Sequence, residues 1–298
     1  MCPERLQDMS FMECLSNNKL LMFVIDECHI IPLDGPQYRP SLLRLPSIYQ
    51  KLSPERTLLL TATATEGWLQ DLARAFQIPD TGIFRASVHR PNLSLQVKKV
   101  ECCDEQYIQL VEALRGSKVP GVVIVYINNR KQVERITLKL EQEVGLPFKK
   151  FEPYHARLHS KLRNRVQDEF TKPSQQSMVV VATKAFGMGL NKSCVRQVIH
   201  YSASSHPSEY LQEVGRAGRD SQSSKCLTLL YAPDVHHNET MIRNFQPTLE
   251  DVTGWLHHLS KETGIVGRIV QVDIWNQAVK HGIEVNIAMY VGTGSVVS

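Results

Sequence analysis

The stretch SMVVVATKAFGMGLNKSCVRQVIHY, residues 177–201, contains two apolar runs separated by a loop with two glycines. The runs, at 177–183 and 195–201, are short, rich in Val and Ile, and followed by polar residues, which is typical of buried strands in a parallel sheet. The chain contains four further runs of this kind: LLMFVI (20–25), TLLLTA (57–62), VVIVYI (122–127) and KCLTLLY (225–231).

Helical patterns lie between several of these runs, at residues 66–78, 130–144, 160–170 and 208–218. Because strands and helices alternate, the sequence predicts an α/β fold with parallel sheets. The segment 84–106 lacks a clear period and contains His-Arg-Pro-Asn, so we expect an extended connector there, with a domain boundary near residue 88. A further helix is predicted at 248–264.

Composition limits the class of protein. The chain has 298 residues, 42% of them apolar and 21% charged, which indicates a globular protein of one large or two ordinary domains. A net charge of +4 is too small to indicate a polyanionic partner by itself. No apolar run reaches the roughly 18 residues of a membrane span and no signal-peptide pattern opens the chain. The seven scattered cysteines form no CxxC pair, so we expect a reducing compartment and no zinc site.

Two acidic residues, Asp26 and Glu27, follow the first apolar run directly. In a parallel sheet they would lie at the carboxyl end of a strand, where open α/β folds bind their ligands. An Asp there can hold Mg²⁺ through its water shell, and the Glu can orient or deprotonate an attacking water. Two solvated carboxylates that merely end a strand are the alternative, and for an isolated Asp-Glu pair they are the commoner case.

Two other polar segments end apolar runs, LTATAT (60–65) and VATKAFGMGLNK (181–192), and a further segment, QEVGRAGRD (212–220), contains two arginines. In the last, Arg216 and Arg219 are three residues apart and would share one face if the segment is helical. Their guanidinium groups could face phosphate oxygens, with Gly215 and Gly218 allowing close approach. A solvated basic turn is the alternative.

Together these segments resemble the motifs of superfamily 2 helicases, specifically the RecQ family of DNA helicases, over about residues 1–232. DECH (26–29) resembles motif II, LTATAT motif III and SEYLQEVGRAGRD (208–220) motif VI. The remaining similarities are CPERL (2–6) to motif Ib, RPNL (90–93) to the RecQ linker, residues 122–136 to motif IV and residues 179–201 to motif V.

The resemblance implies two RecA-like domains of the P-loop NTPase helicase core, the first incomplete. Residues 1–88 would be the C-terminal part of the ATP-binding domain, 89–235 the second domain, and 236–298 a helical or poorly ordered tail. ATP and Mg²⁺ would bind in the cleft, single-stranded or forked DNA would lie across both domains, and the activity would be ATP-dependent 3′–5′ unwinding. The location would be the nucleus, or the cytoplasm in a prokaryote. The sequence does not identify a protein partner.

The resemblance also implies roles for individual residues. Asp26 would bind Mg²⁺ through water, Glu27 would act on the attacking water, and His29 would couple the nucleotide site to DNA. Thr61 and Thr63 would link the domains. On the γ-phosphate side Arg219 would be the arginine finger, and its neighbours at the nucleotide would be Gln212, Arg216 and Gly189. Contacts to DNA would come from Tyr38, Arg39, Asn129, Arg130 and Thr183, for which solvated loop residues are the alternative.

The chain departs from the family's pattern in three respects. No GxxxxGK[ST] phosphate loop is present, so we expect a fragment of such a motor with an exposed strand edge, inactive as an isolated chain. Asp34 and Pro36 replace aromatic-loop residues of the family, and an aspartate cannot stack on a base. The last cysteine, Cys226, lies within a predicted strand, which leaves no cluster for the family's zinc module and favours the RecQ4-like branch.

Two other functions are compatible with the same residues. The first is a catalytically inactive RecA-like fragment that binds nucleic acid or regulates a partner. The second, which the motifs favour less, is an RNA helicase of the DEAH type, because that class shares the glutamine and arginines of motif VI.

Overall fold

The computed structural model describes residues 2–35, 39–117, 121–172, 177–187 and 192–244. The described residues divide into two compact units: unit 1 contains those up to Ser87, and unit 2 contains Val88–Thr240. Both contain parallel strands and helices, which confirms the predicted α/β class.

Unit 1 contains two parallel strands, β1 (Met22–Ile25) and β2 (Arg56–Leu59), in a register that pairs Ile25 with Leu59. Its helices are α1 (Met9–Ser16), α2 (Ile30–Asp34), α3 (Leu45–Leu52) and α4 (Glu66–Ala75). Three short 3-10 helices accompany them: Pro3–Gln7, Pro40–Arg44 and Asp80–Gly82.

Alternation along β1 and β2 gives the sheet of unit 1 two different faces. Phe23, Ile25 and Leu59 pack against a core around Phe76 and Leu42. The opposite face is exposed although it is apolar: Met22, Val24 and Leu58 have exposed fractions of 49%, 51% and 43%.

Unit 2 is built on a six-stranded, wholly parallel sheet in the order β3-β8-β7-β4-β6-β5. Its strands are β3 (Leu93–Val100), β4 (Val122–Tyr126), β5 (Lys150–Tyr154), β6 (Met178–Ala182), β7 (Val195–His200) and β8 (Ser224–Tyr231). Its helices are α5 (Cys103–Arg115), α6 (Arg130–Gln142), α7 (Ser160–Thr171), α8 (Pro207–Val214) and α9 (Ala232–Asn244).

The sheet of unit 2 separates two hydrophobic cores. On one face, Leu110 of α5 and Val133 of α6 pack against β4 and β6. On the other, Val166 of α7 and Val214 of α8 pack against the alternate residues of the same strands. Helices therefore cover both faces, and β4 and β6 are buried along their whole length, which explains their continuous apolar sequences.

The predicted connector at 84–106 is wrong. It contains the edge strand β3 and the beginning of α5. Six of the eight residues of β3 are exposed, among them Gln96 and Lys98, so the strand has no apolar run. It was therefore not predicted from the sequence. The short strand β5, which lies at the opposite edge, was also missed.

The predicted helix at 208–218 is too long, since α8 ends at Val214. Arg216 and Arg219 therefore lie in the turn after the helix and do not share a helical face. Gly218, with φ +56°, adopts the left-handed conformation that cannot continue a helix. At the far end, α9 crosses the expected boundary at residue 235, and the helix predicted at 248–264 lies outside the described residues.

Candidate functional site

In unit 1 the predicted site residues follow the two parallel strands. The Cys28 amide donates to the Leu60 carbonyl at 2.9 Å, and the Leu60 amide donates to the Ile25 carbonyl at 2.8 Å. These bonds extend the pairing beyond β1 and β2. The DECH turn therefore lies beside the LTATAT segment at the carboxyl end of the sheet.

His29 is the contact between these two segments. Its side chain is buried, and Nδ1 lies 2.8 Å from Oγ1 of Thr61 and 3.4 Å from Oε2 of Glu27. The Thr61 oxygen also accepts a hydrogen bond from the Thr63 amide at 3.2 Å. Burial lowers the pKa of His29, although the Glu27 and Asp34 carboxylates oppose that shift. The imidazole is therefore neutral at physiological pH, and a hydrogen bond joins its Nδ1 to the Thr61 hydroxyl.

The two carboxylates differ in environment. Asp26 is exposed, and its Oδ1 accepts a hydrogen bond from the Glu27 amide at 2.9 Å. Glu27 is half-buried and has φ 52°. A non-glycine residue in the left-handed region is strained, and such residues cluster at functional sites.

The donor set around these carboxylates fits Mg²⁺ better than a metal held entirely by protein. Within the described ranges, no group of three or more His, Cys, Asp and Glu residues could hold a metal ion. Mg²⁺ commonly needs only one or two carboxylates, because phosphate oxygens and waters complete its octahedron. Asp26, which is exposed and next to Glu27, meets that requirement.

In unit 2 the GRAGRD turn contains a buried guanidinium group. Arg216 is 8% exposed, and its Nη1 donates to the carbonyl of Gly187. Gly187 has φ +117°, and a Cβ placed there would lie 2.1 Å from Cζ of Arg216, so only glycine permits this contact. Nε of Arg216 has no hydrogen-bond partner within the described part of the chain.

Arg219 lies close to Arg216, and with Lys192 the two arginines line a cavity of about 10 Å³. Burial lowers the pKa of Arg219, and the charges of Arg216 and Arg90 lower it further. These three cationic side chains line the cavity, although the Lys192 ammonium also donates to the Lys172 carbonyl and Arg219 is exposed. Phosphate oxygens are the ligands that such a group of fixed positive charges favours. Gln212 is half-exposed in the last turn of α8.

Sequence reasoning missed a buried polar pair behind this turn. His200 at the end of β7 is fully buried, and its Nε2 lies 2.9 Å from Oε2 of Glu213. The Ser204 hydroxyl donates to the same oxygen at 2.7 Å. This pair ties α8 to the sheet. Glu213 belongs to the segment QEVGRAGRD. Its acidic side chain in that segment was the sequence signal from which a buried partner could have been predicted.

The residues predicted to contact DNA are placed differently from one another. Arg39 forms a two-pronged ion pair with Glu4, both bonds from its Nη2 measuring 3.0 Å. Oδ1 of Asn129 caps α6 by accepting from the Lys131 amide at 2.9 Å, and Arg130 is exposed beside it. Thr183 is 9% exposed at the end of β6. Tyr38 and Gly189 lie outside the described residues.

Comparison with known proteins gives concordant results. The family described as Helicase conserved C-terminal domain matches residues 104–221. The chain is 34% identical over 262 residues to the probable ATP-dependent DNA helicase RecS of Bacillus subtilis, covering 87% of this chain and 51% of that protein. It is 35% identical over 231 residues to RecQ of Haemophilus influenzae, covering 78% of this chain and 36% of that protein.

A third relative is ATP-dependent DNA helicase Q1 of Rattus norvegicus, 32% identical over 248 residues, 82% of this chain and 39% of the relative. The chain thus spans about half the length of these curated relatives, or less. Among solved structures, S. cerevisiae Dbp5 bound to RNA and ADP BeF3 matches with a TM-score of 0.57 and 16% identity, over 78% of this chain and 60% of that one. That likeness concerns the fold alone.

The family match at residues 104–221 and the relatives named above identify a superfamily 2 helicase, and the likeness to Dbp5 shows a RecA-like α/β fold. Within that class, the chain belongs to the RecQ family. In the part of the chain that the structure covers, no helix is both long and apolar enough to cross a membrane.

Proposed function

We propose that the chain is part of an ATP-dependent 3′–5′ DNA helicase, with residues 1–88 belonging to its ATP-binding domain and 89–235 forming its second domain. The observation that carries this proposal is the buried Arg216, whose Nε lacks a partner while Arg219 and Lys192 lie beside it. A buried guanidinium nitrogen without a hydrogen-bond partner is unfavourable unless an anion compensates it. The triphosphate of ATP supplies that anion.

ATP and Mg²⁺ fit the residues present. Asp26 would hold the metal through water, while Gln212, Arg216, Arg219 and Gly189 would contact the nucleotide. Bound Mg²⁺ neutralises phosphate charge and polarises the phosphoryl group. The Glu27 carboxylate would orient the attacking water and accept its proton. The Arg219 guanidinium would stabilise charge that develops on the phosphoryl oxygens, an effect worth roughly 10³- to 10⁵-fold in rate in other nucleotide hydrolases.

His29 would transmit the state of the nucleotide site through unit 1. Its Nδ1 contacts the carboxylate that acts on water and also the Thr61 hydroxyl, which holds the Thr63 amide. A change of proton position at Glu27 would therefore alter the LTATAT segment directly. We propose that Thr61 and Thr63 pass this change to the second domain.

Single-stranded or forked DNA is the proposed substrate, bound through its phosphates by Arg39, Asn129, Arg130 and Thr183, with Tyr38 stacking. Arg130 is exposed, whereas Arg39 is already paired with Glu4. Phosphate contacts of this kind are independent of sequence and weaken as salt rises. For a DNA helicase of this type we propose a nuclear location, or a cytoplasmic one in a prokaryote.

We propose that the 298 residues alone hydrolyse ATP very slowly, because they contain no GxxxxGK[ST] loop to cradle the β- and γ-phosphates. The second candidate function is therefore a nucleic-acid-binding module without turnover. The exposed Arg130 and the capped loop at Asn129 favour it, since neither depends on the missing loop.

The test is ATP turnover by the purified chain with and without single-stranded DNA, compared with Glu27→Gln and with Glu66→Gln as a matched control. We expect the wild-type rate to be near that of Glu27→Gln. DNA-stimulated turnover that Glu27→Gln abolishes would support the assigned role of Glu27 and contradict the inactivity of the isolated chain. Stimulated turnover that survives in Glu27→Gln would contradict the role itself.

A further inference from the structure

The GRAGRD turn is held by a second pair of polar residues that none of the motif roles above includes. Arg90 donates from Nη1 to the Gly215 carbonyl at 3.4 Å, and from Nη2 to the Ala217 and Gly218 carbonyls at 3.2 and 2.6 Å. Asn92 donates from Nδ2 to Gly218 at 2.9 Å and to Gln222 at 3.0 Å. We call Arg90 and Asn92 the carbonyl clamp.

The carbonyl clamp binds carbonyls in the turn that follows the end of α8 at Val214. The Gly218 carbonyl also accepts from the Ser221 amide at 3.0 Å. A guanidinium there is also favoured by the negative end of the helix dipole. Because its donors form a rigid planar fork, Arg90 fixes the relative positions of the carbonyls it binds, which a flexible ammonium does not.

The three carbonyls that Arg90 binds lie on either side of Arg216 and end immediately before Arg219. Fixing them fixes the backbone from which both arginine side chains project. Gly218 adds a steric constraint: it has φ +56°, and a Cβ there would lie 2.4 Å from Nδ2 of Asn92. The turn therefore has little freedom to adopt another conformation.

The charge of Arg90 matters as well. It lies close enough to Arg219 to lower the pKa of that guanidinium, together with burial and Arg216. Arg90 therefore raises the positive potential at the turn. Its Nη1 and Nη2 atoms donate to three carbonyls, so it is placed to organise the turn.

We propose that Arg90 and Asn92 are positioning residues that hold Arg216 and Arg219 in the geometry for binding the γ-phosphate. This inference rests on the proposed function, because it assumes that the two arginines bind nucleotide phosphate.

Hydrogen exchange measured by mass spectrometry on the full chain tests the clamp directly. The variants are Arg90→Gln, Arg90→Lys and Asn92→Ala, and Arg115→Gln is the matched control. Arg115 also donates to a carbonyl, that of Val144, at 3.2 Å, and it pairs with the Glu143 carboxylate, but neither contact involves the GRAGRD turn. Each protein is measured alone and with Mg²⁺ and ATPγS.

In Arg90→Gln we expect amides 215–218 to exchange about tenfold faster or more, while β4 keeps its protection. Asn92→Ala should show a smaller increase at Gly218. Arg90→Lys should restore part of the protection, since a lysine can still reach one carbonyl. In the wild type, ATPγS should protect the turn further, and Arg90→Gln should lose that additional protection.

Unchanged exchange at 215–218 in Arg90→Gln would overturn the clamp, and so would a uniform increase over unit 2, which would indicate ordinary destabilisation. Failure of the proposed function has a different signature. In that case ATPγS would leave the wild-type turn unprotected, while the Arg90 and Asn92 variants would still exchange faster without nucleotide.

Discussion

Nδ1 of His29 lies 2.8 Å from Oγ1 of Thr61, a residue 32 positions further along the chain. The contact joins the turn that carries Asp26 and Glu27 to the segment after the neighbouring strand. It is possible because β1 and β2 are parallel and end at the same edge of the sheet. Motif residues that are far apart in sequence thereby become one hydrogen-bonded group.

Thr61→Val keeps the shape of the side chain and removes this hydrogen bond. We expect it to lower the free energy of unfolding by about 1 kcal/mol, because the buried imidazole nitrogen then lacks its partner. Thr61→Ser retains a hydroxyl and should recover most of that loss. Denaturant unfolding followed by circular dichroism measures both, and equal stability of the two variants would contradict a structural role for the contact.

The buried His29 also predicts a dependence of stability on pH. Its pKa in the folded protein is lowered below the usual 6.5, so the unfolded chain binds the proton more readily. Stability that is fully present above about pH 6.5 should be lost as the pH falls through that value towards the folded pKa. The difference in unfolding free energy between wild type and His29→Asn should therefore change between about pH 7 and about pH 5. Parallel curves would contradict the burial of a neutral imidazole.

Gly187→Ala should destabilise unit 2 and displace Arg216. Its backbone strain should cost about 1–3 kcal/mol, and the clash of the new Cβ with the guanidinium adds to that. Gly145→Ala is the matched control, because Gly145 has φ +83° but nothing within 4 Å of its Cβ position. Equal losses of stability in the two variants would show that the Arg216 contact is not as described.

Cysteine reactivity tests the packing of one hydrophobic core in each unit, around Cys28 in unit 1 and Cys226 in unit 2. Burial raises the pKa of Cys28 to about 11 and that of Cys226 to about 12, so both thiols stay protonated and inaccessible. At about pH 8, iodoacetamide should modify the exposed cysteines first. The exposed set is Cys2, Cys14, Cys102 and Cys103. Rapid labelling of Cys28 or Cys226 in the native protein, followed by mass spectrometry, would contradict the packing around them.

The strands that the sequence predicts well are those buried on both faces. The runs at β4, β6 and β7 begin and end within a residue or two of the strands. β4 and β6 are apolar throughout because helices cover both sides, whereas β7 also contains Arg196, Gln197 and His200. Strands β3 and β5 lie at the two edges of the sheet, and edge strands can contain charged residues, such as Lys98 in β3 and Glu152 in β5. Their sequences therefore lack the apolar run on which the prediction depends.

Some parts of the candidate site could be predicted from the sequence and others could not. DECH and LTATAT were expected at strand ends, and the structure brings them together through His29 and Thr61. The carbonyl clamp was not predictable, because Arg90 binds backbone carbonyls at least 125 positions away and a carbonyl has no sequence signature. The end of α8 was missed because the three-residue spacing of Arg216 and Arg219 also suits a helix.

The central claim is that this chain is part of a DNA helicase. It is tested most directly by fluorescence anisotropy with labelled single-stranded DNA and RNA of the same base sequence, from about 50 to about 200 mM salt. We expect binding to DNA that weakens about tenfold or more across this range, tighter binding to DNA than to RNA, and weaker binding by Arg130→Gln at every salt concentration. Absence of DNA binding at the lowest salt, or a preference for RNA, would contradict it.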